Sequence, residues 1–121
     1  MASPFCEIKT ISDSSLGKDG SLFERSIYIG VDVGTGSVRA ALFTEKAEYL
    51  NSVTKPIAVN NPLPDVYQQS SIEIWSKVCA CIAELVQNLN RDHDQPVKIG
   101  GIGFAATCSL VVVGPNKEGL R

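Results

Sequence analysis

With 121 residues, 11 of them Lys or Arg and 13 Asp or Glu, the chain can form one small domain, or part of one, around a single core. The formal net charge is −2 and the basic residues form no cluster, which argues against nucleic acid or anionic lipid as a partner. No apolar run approaches the length of a membrane span and the N-terminus has no apolar signal segment, so we expect a cytoplasmic protein.

The N-terminal stretch differs in composition from the rest of the chain. Residues 1–25 are rich in Ser, Gly and charged side chains and show neither the helical nor the strand period. They are therefore predicted to be a disordered N-terminal extension. Residues 26–121 are predicted to form part of one α/β domain.

Three short strands are predicted to follow as a meander. Residues 26–33 (SIYIGVDV) carry β-branched and aromatic side chains at both odd and even positions, which predicts a central strand covered on both faces. A Gly-Thr-Gly turn leads into a partner strand over residues 37–43. After a polar turn, residues 49–54 are predicted to form the third strand.

An amphipathic helix is predicted over residues 70–89, after a Pro- and Asn-rich stretch (IAVNNPLPDVYQQ) that is predicted to be a loop. Ser70 is followed three residues later by Glu73, which is the spacing of a capping box. Apolar residues then recur every three or four positions, so one helix face should pack on a sheet. These residues are Ile72, Trp75, Val78, Cys79, Ile82, Leu85, Val86 and Leu89.

Two last strands are predicted at residues 97–106 (VKIGGIGFAA) and 109–113 (SLVVV), with a turn around Thr107 between them and a loop after them. The predicted order is β-β-β-α-β-β. The aromatic side chains of Trp75 and Phe104 are predicted to lie in the core.

The positions of the cysteines and of the single histidine do not indicate a metal-binding or catalytic site. Cys6, Cys79, Cys81 and Cys108 show no C-x-x-C pattern, which is typical of reduced thiols in a cytosolic protein. Cys79 and Cys81 are two apart on the predicted helix and so point to different faces, which favours buried small side chains over metal ligands. His93 lies alone in a polar loop, and nothing there favours a catalytic role.

One segment matches the spacing of a dinucleotide-binding fingerprint. Gly101, Gly103 and Ala106 fit G-x-G-x-x-G/A after a predicted strand. That fingerprint requires a helix N-terminus next, whereas the β-branched stretch TCSLVVV follows here. The chain also has no G-x-x-x-x-G-K-[ST] motif, so neither a Rossmann site nor a P-loop is favoured.

The turn between the first two strands carries the residues best suited to chemistry. They are Asp32, Gly34, Thr35, Gly36, Ser37 and Arg39. One interpretation is a β-hairpin whose glycines supply positive φ, with Asp32 stabilising the turn. The other is a phosphate cradle, in which turn amides and hydroxyls donate to phosphate oxygens and a carboxylate holds Mg²⁺ through water. A cation would then explain why Asp32 lies in an apolar strand.

Several motifs in order resemble one family. The segment YIGVDVGTGSVRAALF resembles the first phosphate motif of the actin-like ATPase superfamily, in the form found in the FGGY carbohydrate kinases. The resemblance continues through EYLNSVTKPIAV and VYQQSSIEIWSKVCACI and ends in VKIGGIGFAATCSLVVV, covering about residues 27–113. The segment GFAATCSLVVV is particularly similar to the ribulokinase-type branch.

This resemblance implies a partial actin-like (ribonuclease H-like) α/β domain and ATP-dependent phosphoryl transfer to a ketopentose or related polyol. It assigns Mg²⁺ to Asp32 and the sugar to Ala106, Thr107 and Cys108. It assigns the ATP phosphates to Gly34, Thr35, Gly36, Ser37 and Arg39. The implied partner is thus a small-molecule sugar.

The family's catalytic aspartate belongs to a W-x-D-x-R motif, which does not occur in this sequence, where the only tryptophan is Trp75. Family members are also several times longer and have two domains. We therefore expect the N-terminal part of a longer kinase, inactive by itself. The alternative is a non-catalytic binding or interaction remnant of the fold. A third interpretation, a chaperone-type actin-like ATPase, is disfavoured by GFAATCSLVVV.

Overall fold

A computed structural model describes residues 26–92, 97–107, 110–116 and 119–120. The predicted extension, with Cys6, and the residues His93 and Cys108 lie outside this part of the chain. The described elements are β1 (Ser26–Val33), β2 (Ser37–Thr44), β3 (Tyr49–Pro56), β4 (Asn60–Leu63), β5 (Val66–Gln68), α1 (Ser71–Asp92), β6 (Lys98–Ala106), β7 (Val112–Val113) and β8 (Gly119–Leu120).

A four-stranded mixed sheet, in the order β3-β2-β1-β6, forms the centre of the fold. Strands β1, β2 and β3 pair antiparallel through short turns, as predicted for a meander. Strand β6 pairs parallel with β1, and helix α1 makes the crossover that a parallel pair requires. The predicted α/β class is thus confirmed.

Helix α1 packs on one face of this sheet, mainly over β2 and β3. The core between them consists of Ile27, Ile29, Val31, Val38, Ala40, Leu42, Ile57, Val78, Cys81, Ile82, Leu85 and Leu89. No described helix or strand packs on the opposite sheet face, where Tyr28 and Asp32 are exposed. The prediction that β1 is covered on both faces is therefore wrong for the described part of the chain.

The N-terminus of α1 uses only half of the predicted capping box. Ser70 Oγ accepts a hydrogen bond from the backbone N–H of Glu73 at 3.2 Å, as an N-cap residue does. The Glu73 carboxylate does not return to Ser70; its Oε1 accepts the N–H of Ala58 at 3.4 Å. The helix begins at Ser71 and runs to Asp92, three residues beyond the predicted end.

The buried face of α1 is rotated relative to the prediction. Val78, Cys81 and Leu85 face the sheet, while Trp75 is 63% exposed and lies on the helix flank. Phe104 is 60% exposed because β6 is an edge strand and α1 lies over β2 and β3. The prediction that both aromatic side chains lie in the core is therefore wrong.

Two further segments differ from the prediction. The stretch predicted as a loop contains the hairpin β4–β5, in which Leu63 pairs with Val66. In the segment predicted as a strand over residues 109–113, of which residues 110–113 are described, the strand is β7, and it pairs with β8 instead of joining the central sheet. No described helix is long and apolar enough to cross a membrane.

Candidate functional site

The residues predicted to bind phosphate meet Ala106 and Thr107, the two described residues of the predicted sugar site, at one edge of the sheet. Val33 at the end of β1 pairs with Ala106 at the end of the parallel strand β6. The backbone N–H of Thr107 then donates to the carbonyl of Val33 at 3.0 Å. The carboxyl edge of parallel strands is where α/β sheets bind ligands, and the β1–β2 turn lies at this same edge.

The β1–β2 turn is closed by a hydrogen bond from the N–H of Gly34 to the carbonyl of Ser37, at 2.9 Å. A Cβ placed on Gly34 would lie 3.3 Å from that carbonyl oxygen and 3.6 Å from Nη2 of Arg39. A Cβ placed on Gly36 would meet no atom within 4 Å. No described glycine has a positive φ, so the hairpin interpretation is wrong about what the glycines do.

Two carbonyl oxygens of the turn accept hydrogen bonds from the rest of the domain, whereas two of its N–H groups have no acceptor in the described part of the chain. Thr35 O accepts the side-chain amide of Gln69 at 2.7 Å, and Gly36 O accepts the N–H of Ile57 at 3.1 Å. Among the described residues, no oxygen accepts a hydrogen bond from the N–H of Thr35 or of Gly36. Consecutive free N–H groups in an exposed turn are a feature of anion-binding sites.

Asp32 and Arg39 lie opposite each other in the β1–β2 ladder. Arg39 Nε is 3.7 Å from Asp32 Oδ2, and the two side chains are 59% and 53% exposed. Such an exposed pair contributes no more than about 1 kcal/mol. Asp32 therefore needs no metal to offset burial by the described residues: it occurs in an apolar strand because alternate residues of β1 face the side of the sheet on which no described element packs.

Two residues that hold the turn, Ile57 and Gln69, were not predicted from the sequence. Ile57 bonds through its backbone, which no residue pattern reveals. Gln69 lies immediately before the helix cap, and the sequence there shows only a pair of glutamines.

Comparison with known proteins decides the family. Residues 27–118 match the model of the N-terminal domain of the FGGY family of carbohydrate kinases. The chain belongs to the FGGY family of carbohydrate kinases. This confirms the resemblance inferred from the motifs.

The chain is similar to several FGGY proteins and spans a small part of each. It is 44% identical to a D-ribulokinase of Saccharomyces cerevisiae over 90 residues, covering 74% of this chain and 12% of that protein. It is 44% identical to an FGGY carbohydrate kinase domain-containing protein of Danio rerio over 86 residues, covering 71% and 15%. The fold matches the gluconate kinase of Lactobacillus acidophilus with a TM-score of 0.71 at 23% identity, covering 80% and 19%.

The side chains at the candidate site of this FGGY chain suit Mg²⁺ only together with a phosphate ligand. No three His, Cys, Asp or Glu side chains of the described residues come together as a metal site. Proteins commonly bind Mg²⁺ through one or two carboxylates, with waters and substrate phosphates completing the octahedron. Asp32, exposed beside the turn, is the one predicted metal ligand and fits that mode.

The G-x-G-x-x-A spacing of the FGGY chain lies within strand β6. Strand β6 continues through Gly101 and Gly103 to Ala106, so no strand-to-helix turn forms there. A Cβ on the neighbouring Gly100 would lie 2.9 Å from the ring of Tyr28, so a glycine accommodates the close packing of that ring. The three residues therefore share the spacing of the dinucleotide fingerprint but lie in a continuous strand.

The buried thiol Cys81 has a structural environment, as predicted. Its Sγ donates to the carbonyl of Val38 at 3.7 Å, and burial raises the pKa of the thiol. Nearby, Lys55 Nζ donates to Glu84 Oε2 at 2.7 Å, and this hydrogen bond raises the pKa of Lys55. A neutral, buried thiol is neither a nucleophile nor a metal ligand. Cys79, the other cysteine of α1, is only half-buried.

Proposed function

We propose that this chain is the nucleotide-facing N-terminal part of an ATP-dependent pentulose kinase, whose substrate is D-ribulose or a similar ketopentose. Membership of the FGGY family and 44% identity to a D-ribulokinase support this proposal. The observation that carries it is the pair of N–H groups at Thr35 and Gly36, which find no acceptor among the described residues, in a turn whose carbonyls accept hydrogen bonds from elsewhere in the domain.

In this proposal the β1–β2 turn binds the phosphates of ATP. The N–H groups of Thr35 and Gly36, with the hydroxyls of Thr35 and Ser37, donate to phosphate oxygens. Arg39 contributes positive charge close to Gly34. Asp32 holds waters of Mg²⁺, and the bound cation would neutralise charge on the phosphates. Catalysis of phosphoryl transfer rests on such positioning and charge stabilisation, so donors that are already oriented are effective.

The sugar is proposed to bind beside the turn, against Ala106, Thr107 and Cys108. The hydrogen bond from Thr107 to Val33 brings the end of β6 next to the end of β1. Paired strands lie about 4.8 Å apart, so a hydroxyl held at Thr107 would be close to a phosphate held at the turn. That proximity is what transfer between the two ligands requires.

We further propose that the 121-residue chain transfers no phosphate by itself. Transfer needs a group to accept the hydroxyl proton, and the W-x-D-x-R motif that carries this base in the family does not occur among these residues. Purified chain with ATP, Mg²⁺ and a panel of ketopentoses should release no ADP above the buffer blank. Sugar-dependent release that is lost on Asp32→Asn would contradict this.

The kinase assignment is tested in a chimera. Residues 27–118, the segment matched by the family model, replace the corresponding segment of the Saccharomyces cerevisiae D-ribulokinase. We expect D-ribulose-dependent ADP release, and we expect Thr107→Val to raise the KM for D-ribulose but not for ATP. A chimera that melts cooperatively yet has no activity would instead support the non-catalytic remnant.

A further inference from the structure

The side chain of Gln69 bridges two distant parts of the chain. Its Nε2 donates to the carbonyl oxygen of Thr35 at 2.7 Å, across a sequence separation of 34 residues. Gln69 is half-buried and directly precedes Ser70, the N-cap of α1. The bond therefore ties the β1–β2 turn to the start of a helix that is anchored in the core.

A second connection reinforces this one. The carbonyl of Gly36 accepts the N–H of Ile57, and the N–H of the next residue, Ala58, donates to the Glu73 carboxylate in the first turn of α1. The turn is thus held at both of its carbonyls, once by a side chain and once by a backbone segment. Only the first of these two contacts can be removed by a substitution without altering the backbone.

Because the peptide bond is planar, the contact made by the Thr35 carbonyl also determines the direction of the Gly36 N–H. The carbonyl of Thr35 and the N–H of Gly36 belong to one rigid peptide unit and point in opposite directions. By holding the carbonyl, Gln69 directs the N–H of Gly36 away from its own side-chain amide, and the space next to Gly36 is open, since a Cβ placed there would meet no atom within 4 Å. A hydrogen bond accepted by the carbonyl also strengthens the N–H of the same unit as a donor.

We propose that Gln69 is a positioning residue for anion binding: it fixes the Thr35–Gly36 peptide so that its N–H is presented to a phosphate oxygen. The identity of that anion as ATP rests on the proposed function, whereas the fixing of the peptide does not. The test therefore has one measurement that needs no nucleotide and one that does.

The first measurement is the ¹⁵N order parameter of the Gly36 amide in the full chain. Gln69→Met keeps the size of the side chain and removes the donor, so the order parameter of Gly36 should fall from about 0.85 to below about 0.6. Gln69→Lys keeps a donor of similar reach and should restore it. The control is Gln68→Met, because Gln68 makes no side-chain hydrogen bond within the described part of the chain. An unchanged Gly36 amide in Gln69→Met would overturn the proposal.

The second measurement is the affinity for MgATP, followed by the chemical shift of the Gly36 amide. Gln69→Met should weaken binding roughly 2- to 10-fold, the equivalent of one hydrogen bond, in a chain that still unfolds cooperatively. Gln68→Met should bind like the wild type. If the wild type binds and Gln69→Met binds equally well, the role in anion binding is refuted. If the wild type does not bind MgATP but Gln69→Met still mobilises Gly36, the positioning of the peptide stands and the proposed binding of ATP phosphates by the turn of this chain fails.

Discussion

From the orientation of α1 we predict that alanine substitutions at two apolar residues of this helix change the free energy of unfolding by different amounts. Leu85 is 0% exposed and Trp75 is 63% exposed, although the apolar period of the sequence includes both. Replacing each by alanine should therefore affect the free energy of unfolding very differently.

The magnitudes follow from the buried surface. Full burial removes about 150–250 Å² of an aromatic side chain from water, so Trp75, about one third buried, removes at most about 90 Å². At about 25 cal/mol/Å² this is an upper bound near 2 kcal/mol, and the better helix propensity of alanine recovers about 0.5 kcal/mol. We expect Trp75→Ala to cost about 1 kcal/mol. Leu85→Ala removes a fully buried side chain and should cost about 2.7–5 kcal/mol.

Urea unfolding followed by far-ultraviolet circular dichroism measures both variants without relying on tryptophan fluorescence. Ile72→Ala serves as the matched control, because Ile72 is 71% exposed on the same flank as Trp75. Equal losses of stability in Trp75→Ala and Leu85→Ala would refute the described orientation of the helix. A larger loss in Trp75→Ala would show that the flank of α1 is covered.

Three further predictions concern the site, a turn and the buried thiol. In the D-ribulokinase chimera, Asp32→Asn should lower kcat about 10²-fold. The control is Glu45→Gln, in the β2–β3 turn, which should leave kcat unchanged. Equal turnover in both variants would contradict the role of Asp32. Ala47 has a φ of 61°, a conformation that glycine adopts at a lower energetic cost than alanine. Ala47→Gly should therefore raise the free energy of unfolding of the chain by about 0.5–1 kcal/mol, which the urea midpoint measures. Because burial raises the pKa of Cys81 above its ordinary value of 9.0, the unfolded chain loses this proton at lower pH than the folded one. Stability should therefore fall as the pH rises from about 8 to 10, and this slope should be shallower in Cys81→Ala.

Much of the candidate site can be proposed from the sequence because its residues are consecutive. The turn from Asp32 to Arg39 shows its glycines, hydroxyls and charges in one short segment, and its motif identifies the family. The sequence also shows that Ala106 and Thr107 follow a strand. That this strand pairs parallel with β1, which places them at the turn, is a result of the sheet order.

The meander, the helix and β6 were each determined by local periodicity, which depends only on neighbouring residues. Periodicity does not say what lies over an apolar side chain, so the exposure of Trp75 and Phe104 was decided by the position of α1 over β2 and β3. The exposure of Asp32 was decided in the same way, by a sheet face on which no described element packs. The bond from Gln69 to Thr35 joins residues 34 positions apart, and only the folded chain brings such partners within hydrogen-bonding distance.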